Sequence, residues 1–336
     1  MIRYPATTFK TIGITAPSSG VGKEQHHLLE QAIARQQQNG FDIKTGKTAW
    51  TQEFAKSAPA KKRAAEFMDM MNDPGIDFIF PPWGGELLIE MLEYVDFSQI
   101  QPKWVLGYSD LSVLLLAITL KTGIATAHGT NIVDLRGEKS DETTRQWLTV
   151  LQTEAGKSVS QHSSALYQKE WNHSNPSPVV YHLTEPTEWK TVSGNEENFA
   201  GRLLGGCIDV TRHIIGTPYG EVQAFREQHI PGEQVVWFLE NCEMSVADLK
   251  RSLTQMKYAG WFDNCAGILF GRSAANEPVE GYTAEKMYQD LAEDLNLPIA
   301  YDIDLGHMPP QITFVNGAYA EIRVADGKGT VEQEFR

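Results

Sequence analysis

The run Leu111–Leu120, LSVLLLAITL, constrains the fold of this chain more than any other feature. It contains only Ser112 and Thr119 as polar residues, yet has half the roughly 20 residues that a bilayer span requires. It predicts a buried helix over Asp110–Lys121, stopped at Gly123. Around it, the first 130 residues alternate short apolar runs with longer amphipathic ones, the pattern of parallel strands joined by crossover helices. Strands are expected at Lys10–Ala16, Phe41–Thr45, Ile76–Phe80 and Trp104–Leu106, and helices at Gln25–Gln38, Lys56–Asn72 and Leu87–Tyr94. The fold class is therefore α/β, with an open N-terminal sheet.

From Leu151 to Asn198 the pattern changes to dense turn formers (SVSQHSS, WNHSNPSP, TEPTEW), which reads as a bridge, part of it folded over a site. Beyond it, Glu233–Leu239, Ala266–Phe270, Leu297–Ile303 and Gln311–Val315 read as strands, Ser245–Tyr258 as a helix and Ala318–Phe335 as a closing hairpin. With 336 residues against roughly 150 for one domain, the expected division is an N-terminal α/β domain over 1–150, a bridge over 151–198 and a mixed C-terminal domain over 199–336.

Charge and cysteine usage exclude several function classes. The 29 basic and 43 acidic residues leave a net charge of −14, which opposes association with a nucleic-acid polymer or an anionic membrane. The start of the chain lacks a basic segment followed by an apolar stretch and a cleavage site, so a cytoplasmic protein is expected. Cys207, Cys242 and Cys265 form no CxxC pair and read as buried or inert thiols. No metal and no cofactor are expected. Glu24-x-x-His27 and Glu170-x-x-His173 have a metal-helix spacing but read as solvated pairs, and PSSGVGK at 17–23 departs from a phosphate loop at Pro17 and Glu24.

The chemistry-bearing candidates lie at strand ends. Val105-Leu106-Gly107-Tyr108-Ser109-Asp110 runs from a strand straight into the apolar helix, which projects the Ser109 hydroxyl at a helix N-terminus, where developing negative charge is favoured. Leu111 excludes the G-x-S-x-G pattern, and a plain helix cap is the competing reading of Ser109. A nucleophilic serine needs a base and a group to orient it. His307, in the Gly/Pro-framed loop DLGHMPP, is the candidate base; His128, in Ala127-His128-Gly129, is its rival and reads as a packed or hydrogen-bonded histidine. His26, His27, His162, His173 and His182 are weaker candidates. Glu240, at the end of the apolar strand VVWFL, is the candidate carboxylate, with a solvated loop acid such as Glu243 as the competing reading. Gly84-Gly85 offers approachable backbone N–H groups, and with the N–H of Asp110 could form an oxyanion hole; a simple tight turn is the alternative.

Together the series ITAPSS (14–19), Gly84-Gly85, Gly107-Tyr108-Ser109-Asp110, LLGG (203–206), Gly216-Thr217-Pro218, Phe238-Leu239-Glu240 and Gly306-His307 resembles the LD-carboxypeptidase family of serine peptidases. The resemblance implies a flavodoxin-like N-terminal sheet, a mixed C-terminal domain with the site between them, a Ser109–Glu240–His307 triad, backbone donors at Gly85 and Asp110, and a homodimer. Glu188-Trp189-Lys190 and Gly201–Gly206 resemble the branch of the microcin C immunity proteins more than the murein-recycling branch. That branch implies a small peptidyl- or aminoacyl-nucleotide substrate, with Trp189 stacked on an aromatic group and Gly84 in the substrate site; packing is the other reading of Trp189. Glu86 after Gly84-Gly85, and Cys207 where the family often has Asn, depart from the family pattern and bear on substrate preference. A murein tetrapeptide remains the alternative substrate, and a non-catalytic small-molecule binding module the alternative of another class.

Overall fold

The computed structural model describes residues 1–171 and 175–336, so His173 and its pairing with Glu170 lie outside the described residues. In the first half, strands β1 (Thr11–Ile14), β2 (Asp42–Thr45), β3 (Phe78–Ile79), β4 (Trp104–Gly107) and β5 (Thr126–His128) are all parallel, in the order β2-β1-β3-β4-β5. This is the flavodoxin-like order, in which ligands bind outside the carboxyl ends of the strands. Helices α1 (His26–Gln38), α2 (Ala60–Asn72) and α3 (Leu111–Thr122) provide crossovers. The helix expected at Leu87–Tyr94 is a 3-10 segment over Leu88–Tyr94, and α2 starts after Pro59 rather than at Lys56.

Leu111–Leu120 is buried without a break. The reason is position: α3 lies against β4 and β5 on one side and against the second sheet on the other. Burying a leucine fully is worth about 1.5–3 kcal/mol, which is why a helix with no polar face is stable here. Gly123 ends it in the left-handed conformation at φ 68°.

The second half contributes a mixed eight-stranded sheet built from β6 (Ser158–His162), β9 (Lys190–Thr191), β10 (Glu197–Cys207), β11 (Val235–Glu240), β12 (Cys265–Gly271), β13 (Ile299–Ile303), β15 (Tyr319–Ala325) and β16 (Lys328–Glu334). Its order is β6-β16-β15-β10-β11-β12-β13-β9, with β10 to β13 parallel. A small pair, β7 (Leu166–Tyr167) with β8 (Glu185–Pro186), stands apart. Helices α4 (Gln146–Leu151), α5 (Ile208–Thr211), α6 (Val222–His229), α7 (Val246–Tyr258) and α8 (Ala284–Leu295) complete the chain. Strand β14 (Phe314–Asn316) returns from the C-terminal half and pairs antiparallel with β5, extending the first sheet.

Two features differ from expectation. The segment 151–198 supplies edge strands at both ends of the second sheet, β6 against β16 and β9 against β13, rather than a plain connection. The second is the central strand β10, eleven residues long, where the sequence pattern predicts no strand. Its glycines hide it: at Gly205 an added Cβ would collide with the Phe238 carbonyl, so the close approach of neighbouring backbones demands residues that weaken strand patterning.

Candidate active site

Strand ends from both sheets converge on one place. Ser109 follows β4 directly, Gly84 and Gly85 lie beyond β3, Ser18 and Ser19 beyond β1, Glu240 is the last residue of β11, and His307 follows β13. The His307 Nε2 lies 3.0 Å from Ser109 Oγ, and its Nδ1 lies 2.8 Å from Glu240 Oε2. In the tautomer these contacts favour, Nδ1–H donates to Glu240 and Nε2 accepts from the serine hydroxyl. The two residues bonded to His307 are 198 and 67 positions away in sequence.

Ser109 has φ 65°, a left-handed conformation that is uncommon for a residue with a side chain. Such strain at the turn between a strand and a helix lifts the hydroxyl clear of the backbone. The turn is clamped by Asp110, whose buried Oδ2 accepts from Ser18 Oγ (2.5 Å) and from the Leu88 N–H (2.8 Å). Burial raises the Asp110 pKa despite these two donors. Ser19 N–H donates to the Gly84 carbonyl at 3.1 Å, and Gln52 bridges Ser19 Oγ and the Gly20 N–H. The stretch 17–20, which departs from a phosphate loop, thus forms one wall of the site. Gly84 touches Ser109 so closely that an added Cβ would sit 2.5 Å from the serine Cβ. Among the described residues, the N–H groups of Gly85 and Asp110 donate to no protein acceptor.

On the other side, Glu240 is 0% exposed. Burial pushes its carboxyl pKa up, but His307, with smaller contributions from His128 and Cys207, outweighs this and leaves it below its ordinary value. Burial likewise works against charge on His307; the Glu240 carboxylate and hydrogen bonding with Cys242 and Glu240 override it and hold the imidazole well above 6.5. Gly306, at φ 90°, has no room for a Cβ, which would collide with Glu240 Oε2. Asp209, in the first turn of α5, fixes the loop after Glu240 by accepting from the N–H groups of Cys242 (2.8 Å) and Glu243 (2.9 Å).

The loop carrying His307 is held from behind by residues that sequence reading missed. Asp304 is fully buried and accepts from Ser164 N–H and Oγ (both 2.7 Å), from the Trp189 indole N–H (2.9 Å) and from the Arg272 guanidinium. Trp171 donates its indole N–H to the His307 carbonyl (3.0 Å), and the Gln168 N–H donates to the Pro309 carbonyl (2.8 Å). The expected stacking role of Trp189 is therefore corrected: its ring is 1% exposed and packed under Gly329, so no substrate face is free. The indole beside His307 is that of Trp171, half-buried and packed edge-on against Tyr181. Of the cysteines, Cys207 and Cys265 are buried, and Cys242, half-buried, packs beside the His307 imidazole.

His26, His27, His162 and His182 make other contacts. His26 contacts the Trp50 carbonyl, and His27 contacts the Glu24 carbonyl rather than its carboxylate. His162 pairs with Thr330 Oγ1 and His182 with the Asn175 carbonyl. His128 is wholly buried next to the site. Among the described residues no group of three or more His, Cys, Asp or Glu is placed to hold a metal ion, and no helix is long and apolar enough to cross a membrane.

Comparison with known proteins joins this geometry to a family. Over its full length the chain is 24% identical to the microcin C7 self-immunity protein MccF of Escherichia coli, of which it covers 96%. It is 25% identical to a probable murein peptide carboxypeptidase of Bacillus subtilis, with 96% of this chain and 91% of that one covered. Its fold matches an MccF-like protein from Bacillus anthracis at a TM-score of 0.84, with 21% identity and full coverage of both chains. The fold of MccF solved in complex with aspartyl sulfamoyl adenosine matches at 0.83, with 20% identity and 99% and 98% coverage. Residues 12–129 match the LD-carboxypeptidase N-terminal domain and residues 200–322 the LD-carboxypeptidase C-terminal domain, and the chain belongs to the LD-carboxypeptidase family.

Proposed function

We propose that this carboxypeptidase-family protein is a serine peptidase that cleaves an amide bond through Ser109, His307 and Glu240, acting on aminoacyl- or peptidyl-nucleotide substrates. One observation carries the reading: a single imidazole bridges the Ser109 hydroxyl and a buried carboxylate at 3.0 and 2.8 Å. His307 Nε2 takes the serine proton as Oγ attacks the substrate carbonyl. Glu240 holds the ring in the tautomer that makes this possible and stabilises the imidazolium. The oxyanion is received by the Gly85 and Asp110 N–H groups, which donate to no acceptor among the described residues. The protonated His307 then gives its proton to the leaving nitrogen, the C–N bond breaks, and a water deprotonated by His307 hydrolyses the acyl ester.

The nucleotide part of the reading rests on the family branch. MccF, a relative that spans the whole chain, has been solved with aspartyl sulfamoyl adenosine. The test is an activity panel of aminoacyl-sulfamoyl adenosines and an LD-linked murein tetrapeptide, run on the wild type and Ser109→Ala. Cleavage of the nucleotide conjugates alone, lost in Ser109→Ala, is the expected result. Cleavage of the tetrapeptide alone transfers the substrate to the murein class, and binding of either without turnover makes the site a binding module.

A further inference from the structure

One ionisable residue beside the triad has no part in the mechanism above. His128 ends β5, paired in register with Gly107 on one side and Phe314 on the other. Its ring is 0% exposed and boxed edge-on between Tyr108 (centroids 6.4 Å apart) and Phe238 (5.5 Å). Neither ring nitrogen has a hydrogen-bond partner among the described residues. The same holds for Oε1 of Glu240, the oxygen that does not face His307. The Cys207 thiol, paired in register with Glu240, is a weak donor that lies 3.5 Å from Asp209 Oδ2 and adds only a minor contribution at the Glu240 carboxyl. The ionisable groups that act on His128 are Glu240 and His307, and burial keeps the ring neutral, with its pKa pushed down to about 4.

A buried donor and a buried acceptor left unmatched each forfeit the full desolvation penalty, and two such groups beside one another are costly unless they serve each other. A neutral imidazole always retains one N–H to give.

We propose that His128 is a positioning residue for Glu240, donating a ring N–H to Oε1 through one bound water, so that the carboxylate is held between two imidazoles. Fixing Oε1 from behind leaves Oε2 aimed at His307 Nδ1 and keeps the carboxylate ionised while the serine proton moves. The inference rests on the triad reading and assigns His128 no contact with substrate.

The experiment compares His128→Phe, which keeps the packing shape, with His128→Gln, which restores a donor. The first readout needs no substrate: the carboxyl titration of Glu240, followed by carbon-13 chemical shift. Losing the donor should raise that titration by about one pH unit in His128→Phe, and His128→Gln should bring it back. With substrate, kcat should fall roughly tenfold in His128→Phe with KM unchanged, and recover in His128→Gln. A Glu240 titration unmoved in His128→Phe overturns the proposal, even if Ser109→Ala is inactive. Full activity in Ser109→Ala overturns the triad and leaves the titration result standing. Should His128→Phe fail to fold, the wild type decides: a slowly exchanging, downfield His128 ring proton at neutral pH is expected, and a fast-exchanging one overturns the inference.

Discussion

The serine side and the histidine side of the candidate site are assembled over very different stretches of chain. Around Ser109 most determinants are near in sequence: the strand Trp104–Gly107, the left-handed turn, the helix behind it, and Asp110 clasping the Leu88 N–H 22 positions away, with the Ser18 hydroxyl, 92 positions away, as the remote one. Around His307 they are remote. Glu240 lies 67 positions away, Trp171 136, and Ser164 reaches Asp304 across 140. A nucleophile can be presented largely by local backbone geometry, because a strained turn at a helix N-terminus sets its direction. A base must be oriented by a second group and steadied by a third, which no short segment supplies.

That contrast can be broken at several points, with effects that should decline in order. Ser109→Ala and His307→Ala should each lower kcat/KM by about 10⁴-fold or more with the thermal midpoint little changed, and the double variant should be hardly worse, since the members act as a unit. Additive losses in steady-state kinetics would show that they do not. Glu240→Gln should cost less, roughly 10²–10⁴-fold, because it orients rather than reacts. It should also move the pH profile. His307 must be neutral to accept a proton and is held well above 6.5 chiefly by Glu240 acting against burial, so wild-type activity should rise with pH through a limb above 6.5 and fall away below it. Removing the carboxylate charge should carry that limb downward; a limb that stays in place would assign it to another group.

Gly84→Ala tests the local side. Its Cβ would press on Ser109 Cβ and Oγ, so kcat should fall about 10²-fold through displacement of the nucleophile, while substrate affinity by calorimetry holds. Trp189→Phe tests the remote side with the smallest catalytic effect. It leaves Asp304 short of one buried donor, and should lower stability in urea by about 1–3 kcal/mol while kcat drops only a fewfold. A large loss of substrate binding with no loss of stability would return Trp189 to a substrate role.

Much of the first sheet could be read in advance, because parallel strands buried on both faces announce themselves as short apolar runs and their crossover helices as amphipathic ones. The second sheet was less legible. Strand β10 carries Gly201, Gly205 and Gly206, and β9 is only two residues long, so neither gives a period. The same limit explains Trp189: a tryptophan among turn formers looks exposed, and only the packing of Gly329 over its ring and the indole bond to Asp304 reveal a core residue. Asp304 and Arg272 gave no signal either, since a lone acid and a lone arginine resemble solvated charges until they are seen buried together.

The sequence by itself determined the class of the fold, the buried helix Leu111–Leu120 and the strand-to-helix turn at Ser109, because hydrophobic period and turn chemistry act over a few residues. It also offered Glu240 and His307 as candidates, through strand ends and a resemblance to a family. That these two meet Ser109, that His128 is buried between Tyr108 and Phe238, and that Trp189 faces inward were decided by tertiary structure alone. Hydrogen bonds of about 3 Å between groups up to 198 positions apart depend on how two sheets dock across a shared helix, and local sequence does not encode that distance.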